Sequence, residues 1–365
     1  MRLDRLTVQN WRNIAQADFR PGPGLTVLCG DNGQGKTNLL EAVWSLTGGK
    51  SFRASRDAEL IRQGEKFSVL EGSIFCEDRL QTLRLTVGSP ASQKPGRNMS
   101  RNGMPPVRAA SLAGLFTAVV FDPNHLSLIK GGPEGRRRFL DTALCQLYPA
   151  YLKLLRRYSR IVTQKNSLLK ECRGRFSLSA SQSDLLEIYD QQLAEAGQAL
   201  SLRRQKYLEE LAPLAVANYS EISSGREQLA LRYLPSFGPK GLLECCRQKR
   251  SEEIRSGFCL AGPHREDFEV TLDGRSARVF GSQGQQRSAV LSLKLAEAAQ
   301  AARIREDSPV MLMDDVLSEL DEKRRAWLLT RMEGRQTIVT ACDSAEFLKT
   351  SGILYAVSGG EIRPL

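Results

Sequence analysis

Histidine is nearly absent from this sequence, with only His125 and His264 among 365 residues. A histidine-rich metal centre is therefore excluded. Eight cysteines are present, but none form a Cys-x-x-Cys pair, and Cys245 and Cys246 are adjacent. That spacing excludes a zinc knuckle and reads as reduced, packing cysteines. No apolar run reaches the about 18 residues that a membrane span needs. The first residues alternate like a strand and lack an apolar signal core, so no secretory peptide is read and the chain is expected to stay in the cytoplasm, with no membrane partner. Acidic residues are also in deficit, 41 against 52 Lys and Arg, a net charge of +11. A basic balance of this size favours a polyanionic partner. Aromatics make up only 7%.

The 41% of hydrophobic residues is enough for an ordinary core. Leu3, Leu6 and Val8, then Ala17 and Phe19, then Leu25 to Leu28 read as strands, the last two separated by the turn Pro21-Gly22-Pro23-Gly24. Strand patterns recur from Phe67 to Phe75 and from Leu80 to Val87. A Ser/Pro/Gly-rich tract from Gly88 to Gly103 reads as a surface loop. After Gly131-Gly132-Pro133 the period changes. Leu140, Leu144, Leu147, Tyr151, Leu154, Tyr158 and Ile161 recur four and three apart, as do Leu186, Tyr189, Leu193, Ala196 and Leu200, then Tyr207, Leu211 and Leu214. This spacing predicts an antiparallel helical pair, short enough to belong to a compact lobe, with Pro149 dividing or kinking its first arm. Strand patterns return at Phe268–Leu272, Val310–Met313 and Gln336–Thr340. The expected organisation is a head part over 1–130, a helical arm over 131–254, and a second head part over 255–365.

Gly30-Asp31-Asn32-Gly33-Gln34-Gly35-Lys36-Thr37-Asn38 follows a strand and opens a helical pattern, the context a phosphate-binding loop requires. Glycines let backbone N–H groups close on phosphate oxygens, and the helix start adds its positive end. Lys36 supplies a charge for the β- and γ-phosphates, and the Thr37 hydroxyl suits Mg²⁺. The apolar strand Val310–Met313 ends in Asp314 and Asp315. Asp314 can stand near the Mg²⁺, and Asp315 can orient or deprotonate a water. Gly281-Ser282-Gln283-Gly284-Gln285 precedes an alanine-rich helix. Ser282 reads as an N-cap, or as a second anion site using Ser282, Gly284 and Gln285. A phosphate for that second site would come from another chain, which implies an ATP-dependent homodimer. The guanine-reading Asn/Thr-Lys-x-Asp motif is missing, so ATP is the default nucleotide.

At these residues the sequence resembles the ABC-type ATPase heads that work on DNA, the SMC relatives, and within them the RecF family of bacterial recombination mediators. Four stretches carry the resemblance: 30–38; Gly132-Pro133-Glu134-Gly135-Arg136-Arg137-Arg138-Phe139-Leu140-Asp141; Gly262-Pro263-His264-Arg265-Glu266-Asp267; and Met313 to Asp321. The resemblance implies an α/β fold, an ABC-type P-loop head with an inserted helical arm. It implies a slow, DNA-stimulated ATPase in which Ser282 of one head caps the ATP of another and Ser318–Asp321 crosses the dimer interface. Gapped DNA or single–double-strand junctions, loading of the RecA recombinase, and RecO and RecR as partners are implied with it. Three positions depart from the wider ABC pattern. Asp315 replaces a glutamate, Thr340 stands where transporter heads carry histidine, and the glutamine of the usual Q-loop is not identifiable, with Asp122 or Asn124 as stand-ins.

The basic residues concentrate near the first arm helix: Arg136, Arg137, Arg138, Lys153, Arg156, Arg157, Arg160 and Lys165. Few acids accompany them, so a surface tracking DNA phosphates is expected, Arg136, Arg137, Arg138, Arg156, Arg157 and Arg160 being its candidates. No aromatic platform for single strands interleaves them. A transporter ATPase subunit and an ATP-gated architectural clamp are the rival readings.

Overall fold

The computed structural model describes residues 1–54, 56–88, 96–174, 178–343 and 352–365. In chain order it begins with β1 (Arg2–Trp11), β2 (Ile14–Phe19), β3 (Leu25–Cys29), α1 (Lys36–Ser45), β4 (Phe67–Cys76), β5 (Arg79–Gly88), β6 (Arg97–Arg101), β7 (Val107–Arg108) and β8 (Ala118–Phe121). Next come α2 (Ser127–Lys130), α3 (Pro133–Leu147), α4 (Pro149–Cys172), α5 (Ala180–Ser223), β9 (Leu229–Leu234), α6 (Gly241–Ser256), β10 (Asp267–Leu272), β11 (Arg275–Ser276), α7 (Ala277–Phe280) and α8 (Gln283–Arg305). The last elements are β12 (Val310–Met313), α9 (Glu322–Met332), β13 (Thr337–Ala341), β14 (Ile353–Ser358) and β15 (Glu361–Pro364).

Two compact units result. The first comprises Met1–Leu126, Glu221–Ser224 and Val290–Leu365, the second Ser127–Ser220 and Gly225–Ala289. In the first unit, one sheet runs β2-β1-β4-β5-β6-β7 and is antiparallel. The other runs β15-β14-β3-β13-β12-β8, with β15 antiparallel and the rest parallel. Helix α1 contacts β1 of one sheet and β12 and β13 of the other. Its Leu39, Leu40, Ala42, Val43 and Trp44 join one core with Leu6, Val8, Leu70 and Leu83 on one side and Leu28, Leu312 and Ile338 on the other. A helix buried on nearly every side needs no polar face, which is why the sequence after Asn38 is so apolar.

The tract from Gly88 to Gly103 holds a strand where a loop was expected. β6 pairs with β5 through Met99↔Leu85, and Arg97 is buried with its guanidinium donating to the Ser45 carbonyl at 3.1 Å. Its residues are polar apart from Met99, so no alternation announced it; positions 89–95 of that tract lie outside the described residues.

In the second unit, Tyr148 takes an extended conformation and Pro149 opens α4, so the first arm is two helices. The expected stripe residues Leu140, Leu144, Leu147, Tyr151, Tyr158 and Ile161 are buried, as are Leu186, Leu193, Ala196, Leu200, Tyr207 and Leu211 of α5. Between Leu200 and Tyr207 the buried positions are Ser201 and Arg204. Arg204 donates to both Asp141 carboxylate oxygens at 2.9 Å and to the Pro263 carbonyl at 2.6 Å. A three-stranded sheet, β11-β10-β9, completes the unit. Strand β9 lies within the tract expected to be wholly helical. Because β10 pairs with β9, residues 255–289 group with this unit, and the first unit resumes at Val290.

The stretch Gly262–Asp267 is the unit's polar hub. Gly262 has φ 120°, and a Cβ there would lie 2.3 Å from the Tyr158 hydroxyl. That hydroxyl donates to His264 Nδ1 at 2.6 Å while His264 Nε2 donates to the Cys259 carbonyl at 3.1 Å. Burial pushes the His264 imidazolium down to about 4. Glu266 is fully buried and accepts from Ser201 and Tyr233. Buried carboxylates are tolerable only when so supplied with donors.

Candidate nucleotide site

The parallel sheet of the first unit gathers its chemistry at one end. Register pairs Val339 with Met313 and with Val27, and Met313 with Phe121. The residues just beyond these register positions (the loop from Gly30, Thr340, Asp314 and Asp122) therefore converge at the carboxyl ends of the strands, where ligands of open α/β sheets bind. Gly30 has φ 150°, and a Cβ would lie 2.2 Å from the Val357 carbonyl of β14. Gly35 has φ 119° and caps α1 without a side-chain bond, so the first N–H groups of the helix are not claimed by a capping side chain. Asp31, Asn32 and Gly33 are exposed along the loop rim. Lys36 is buried, with Nζ donating to the carbonyls of Gly30 at 2.5 Å and Asp31 at 3.1 Å.

The Thr37 hydroxyl donates to Asp314 Oδ1 at 2.6 Å. Thr340 Oγ1 accepts from the Asp315 N–H at 2.8 Å and lies 3.1 Å from Asp314 Oδ1 and 3.2 Å from Asp315 Oδ1. Asp315 holds φ 48°, the left-handed region. Burial raises the Asp314 carboxyl above its ordinary range. The Thr37 hydrogen bond opposes that, and the charges of Asp315 and Asp122 add to it. Of the two stand-ins for the missing glutamine, Asp122 is the one whose charge reaches Asp314. Its Oδ1 accepts from the Asn124 N–H at 2.6 Å.

Neighbours that the sequence did not announce complete the surroundings. Asn38 donates from Nδ2 to Asn13 Oδ1 at 2.8 Å and accepts from Arg53 at 3.0 Å, while Arg12 grips Glu41 through two bonds of 2.8 and 2.9 Å. Arg12 and Asn13 lie on the β1–β2 turn and Arg53 follows α1, and no local pattern links them to the P-loop. Ser318 donates to the Asp315 carbonyl at 2.7 Å, and Asp321 caps α9.

A family profile described as RecF/RecN/SMC N terminal domain matches residues 2–359. The chain is 39% identical over 378 residues to the DNA replication and repair protein RecF of Heliobacterium modesticaldum, covering 99% of each. It is 36% identical to that of Lachnoclostridium phytofermentans, covering 97% of each. The chain belongs to the RecF family. A solved recombination mediator protein RecF-ATP, of the RecFOR pathway, superposes with TM-score 0.90 at 31% identity, over 100% of this chain and 97% of that one. An SMC head from Pyrococcus furiosus, 16% identical at TM-score 0.56, shares the fold. As a RecF-family protein, the chain is an ABC-type ATPase of DNA replication and repair.

The remaining site residues belong to the second unit. Ser282 and Gln285 form a reciprocal cap at the start of α8. Ser282 N–H donates to Gln285 Oε1 at 2.6 Å, and Gln285 N–H donates to Ser282 Oγ at 3.3 Å. The Gln285 amide also donates to Glu227 at 2.6 Å. Both ends of Gln285 are thus engaged in the cap and its support. Ser282 is exposed and accepts in the cap, so its own proton stays available to an anion; Gly284 is the second residue of the helix.

The expected arginine cluster divides into buried and exposed members. Arg136 is buried, with two bonds of 2.6 and 2.8 Å to Asp267 and two more to the carbonyls of Leu128 and Gly131. It presents no charge to DNA. Arg137 donates to the Glu266 carbonyl at 2.8 Å, and burial lowers its guanidinium below the usual range. Arg138 and Arg157 are exposed and paired with Glu134 and Glu195. Arg156 and Arg160 are exposed on α4, one turn apart, with no salt bridge among the described residues. Among those residues no helix is long and apolar enough to cross a membrane.

Proposed function

We propose that the chain binds ATP with Mg²⁺ at the 30–38 loop, hydrolyses it in a composite site completed by a second copy, and uses that cycle to hold DNA. The observation that carries this reading is the 2.6 Å bond between Thr37 and Asp314, joined through Thr340 to Asp315. A hydroxyl and a carboxylate in contact are hard oxygen donors of the kind Mg²⁺ takes together with phosphate oxygens. When bound, Mg²⁺ would neutralise charge on the triphosphate, with Thr37 and Asp314 as its protein ligands. The loop N–H groups bind the phosphates, and Lys36 exchanges its carbonyl partners for phosphate oxygens. Asp315, fixed by Thr340, orients the attacking water and takes its proton. Ser282 and the Gly284 N–H of the second copy cap the γ-phosphate.

Arg156 and Arg160, with Arg138 and Arg157 after release of their surface pairs, are proposed to follow the phosphates of duplex DNA beside a single-strand gap. Exposed pairs of this kind are weak enough to exchange. RecO and RecR as partners, loading of RecA at such junctions, and a cytoplasmic location complete the proposal. RecO and RecR are supported by the RecFOR pathway of the solved relative.

The test combines two lesions. Lys36→Met should abolish hydrolysis, and Ser282→Arg should leave monomer ATP binding intact while blocking ATP-driven dimerisation. Mixed dimers carry one site with both lesions and one with neither. Random pairing of equal amounts should return roughly a quarter of the activity if the sites act independently. Dimer formation without recovered activity would rule out independent composite sites.

A further inference from the structure

The four residues between Gly30 and Gly35 are not alike. Asp31, Asn32 and Gly33 are exposed, whereas Gln34 is half-buried and its side-chain carbonyl faces another part of the first unit. Gln34 Oε1 accepts from the Gly359 N–H at 2.7 Å. Its main-chain carbonyl accepts from the next N–H, Gly360, at 2.9 Å, and from Asn13 Nδ2 at 3.0 Å. Gly359 and Gly360 form the turn between β14 and β15 and both have positive φ, 57° and 87°. A Cβ on Gly360 would lie 2.5 Å from the Asn13 carbonyl, so the turn lies flat against the β1–β2 turn. On the same hairpin, the Val357 carbonyl leaves no room for a side chain on Gly30. The back of the loop thus rests on a hairpin from the far end of the chain.

We infer that Gln34 is a positioning residue that fixes the phosphate-binding loop to the β14–β15 hairpin and so sets the chain's affinity for ATP. A loop that binds through backbone N–H groups must keep them convergent when no phosphate is present. Lys36 alone cannot do this, because it leaves its carbonyl partners when nucleotide binds. Gln34 acts from outside the cradle, and its bonds need not break on binding. The side chain is committed to the hairpin, so its loss weakens ground state and transition state alike. KM should therefore rise while kcat stays. The inference rests on the P-loop reading above.

Gln34→Met keeps the bulk and removes the acceptor; the loss of one net hydrogen bond should raise the ATP dissociation constant and KM about two- to tenfold. The thermal midpoint and kcat should stay close to those of the parent. Gly360→Ala forces the turn away from the loop through its clash with the Asn13 carbonyl, breaking the bonds of both turn N–H groups to Gln34, and should raise KM at least as much. The double variant should be no worse than Gly360→Ala, which already removes the bond that Gln34→Met deletes. Parent-like ATP affinity in Gln34→Met, alongside lost productive binding in Lys36→Met, would overturn the inference and leave the P-loop reading standing. Additive effects in the double variant would also overturn it. Unchanged ATP binding and hydrolysis in Lys36→Met would overturn both. Should Gln34→Met fail to fold, Gly360→Ala decides alone: unchanged KM refutes the contact, and a raised KM with unchanged kcat upholds it.

Discussion

Replacing Thr340 by valine would separate the chemistry of the site from its architecture. The side chain is buried and valine matches its shape, so no cavity opens. Two interactions are lost. The Asp315 N–H loses its acceptor at 2.8 Å, and the carboxylates of Asp314 and Asp315 lose a shared donor at 3.1 and 3.2 Å. A single proton serves only one of the two carboxylates at a time. An unsatisfied buried N–H costs about 1–3 kcal/mol, and a hydrogen bond to a charged group is worth about 1.5–3 kcal/mol, so a destabilisation of about 3 kcal/mol is expected. A domain stable by about 5–15 kcal/mol still folds after that loss. Catalysis should suffer more visibly. Asp315 sits at φ 48°, a conformation costing about 1–2 kcal/mol that persists only where surroundings enforce it. Without Thr340 the carboxylate should relax away from the water it is proposed to orient, and single-turnover hydrolysis should fall about 10- to 100-fold. ATP affinity, set by the loop and Lys36, should change by less than about threefold. Thr340→Ser retains the hydroxyl and should keep most of the rate. Parent-like hydrolysis in Thr340→Val would refute the reasoning, as would an equal loss in Thr340→Ser, which would trace the effect to the methyl group.

Asp315→Asn keeps the size but removes the base; it should bind ATP normally and turn over about 100-fold more slowly or worse, measured by phosphate release. An unchanged rate would move water activation to another group, Asp122, whose charge acts on Asp314, being a candidate. Replacing Arg156 and Arg160 together by glutamine should lower duplex affinity and reduce the salt slope by about 1.8, at about 0.9 per phosphate contact. Arg136→Ala should leave that slope unchanged and instead destabilise the protein by about 3 kcal/mol, because Asp267 loses its buried partner. A changed slope in Arg136→Ala would contradict its structural assignment. His264 titrates near 4 when folded, below the ordinary imidazole value near 6.5, so the unfolded chain binds the extra proton. Its contribution is full above about 6.5 and is lost as pH falls towards 4, by up to about 3 kcal/mol. Urea midpoints should drop more steeply over that window in the parent than in His264→Gln; parallel curves would show that another group controls the acid limb.

The parts of the site that could be read from the sequence are those where chemistry and local backbone coincide. The loop from Gly30 to Asn38 needs its glycines, lysine and hydroxyl within one turn, and the strand ending in Asp314 and Asp315 announces itself by four buried residues before two acids. Thr340 could be placed at its strand end but not assigned its bonds, since those depend on which strands are neighbours. The arginines show a different limit. Arg136, Arg137 and Arg138 look alike as a run, yet Arg136 stands three, four and seven residues before the buried Phe139, Leu140 and Ala143. Arg204 similarly continues the stripe of Leu200, Tyr207 and Leu211. A basic residue inside an apolar stripe was thus a readable sign of a buried ion pair, and counting charge concealed it. Strand β9 was obscured by its surroundings, although Leu229, Leu231 and Tyr233 alternate. Asn13 and the Gly359–Gly360 turn left no trace, because their role is defined only by what lies across from them.

The position of the second unit in the chain follows from the same sheet. β8 and β12 are adjacent and parallel, so the chain must cross over between Phe121 and Val310. A crossover normally uses a single helix of a dozen or so residues. Here α8 ends that connection, and the whole second unit occupies its earlier part. Nothing in the register of β3, β13, β12 and β8 depends on what fills a crossover, provided that its ends stay fixed. An insertion at this point is therefore compatible with a P-loop, Asp314, Asp315 and Thr340 held to within a hydrogen bond of one another. The same crossover brings Ser282 into the chain just before α8, on the second unit and not on the sheet that carries Lys36. Helix α8 starts beside Ser282 in the second unit and passes into the first at Val290.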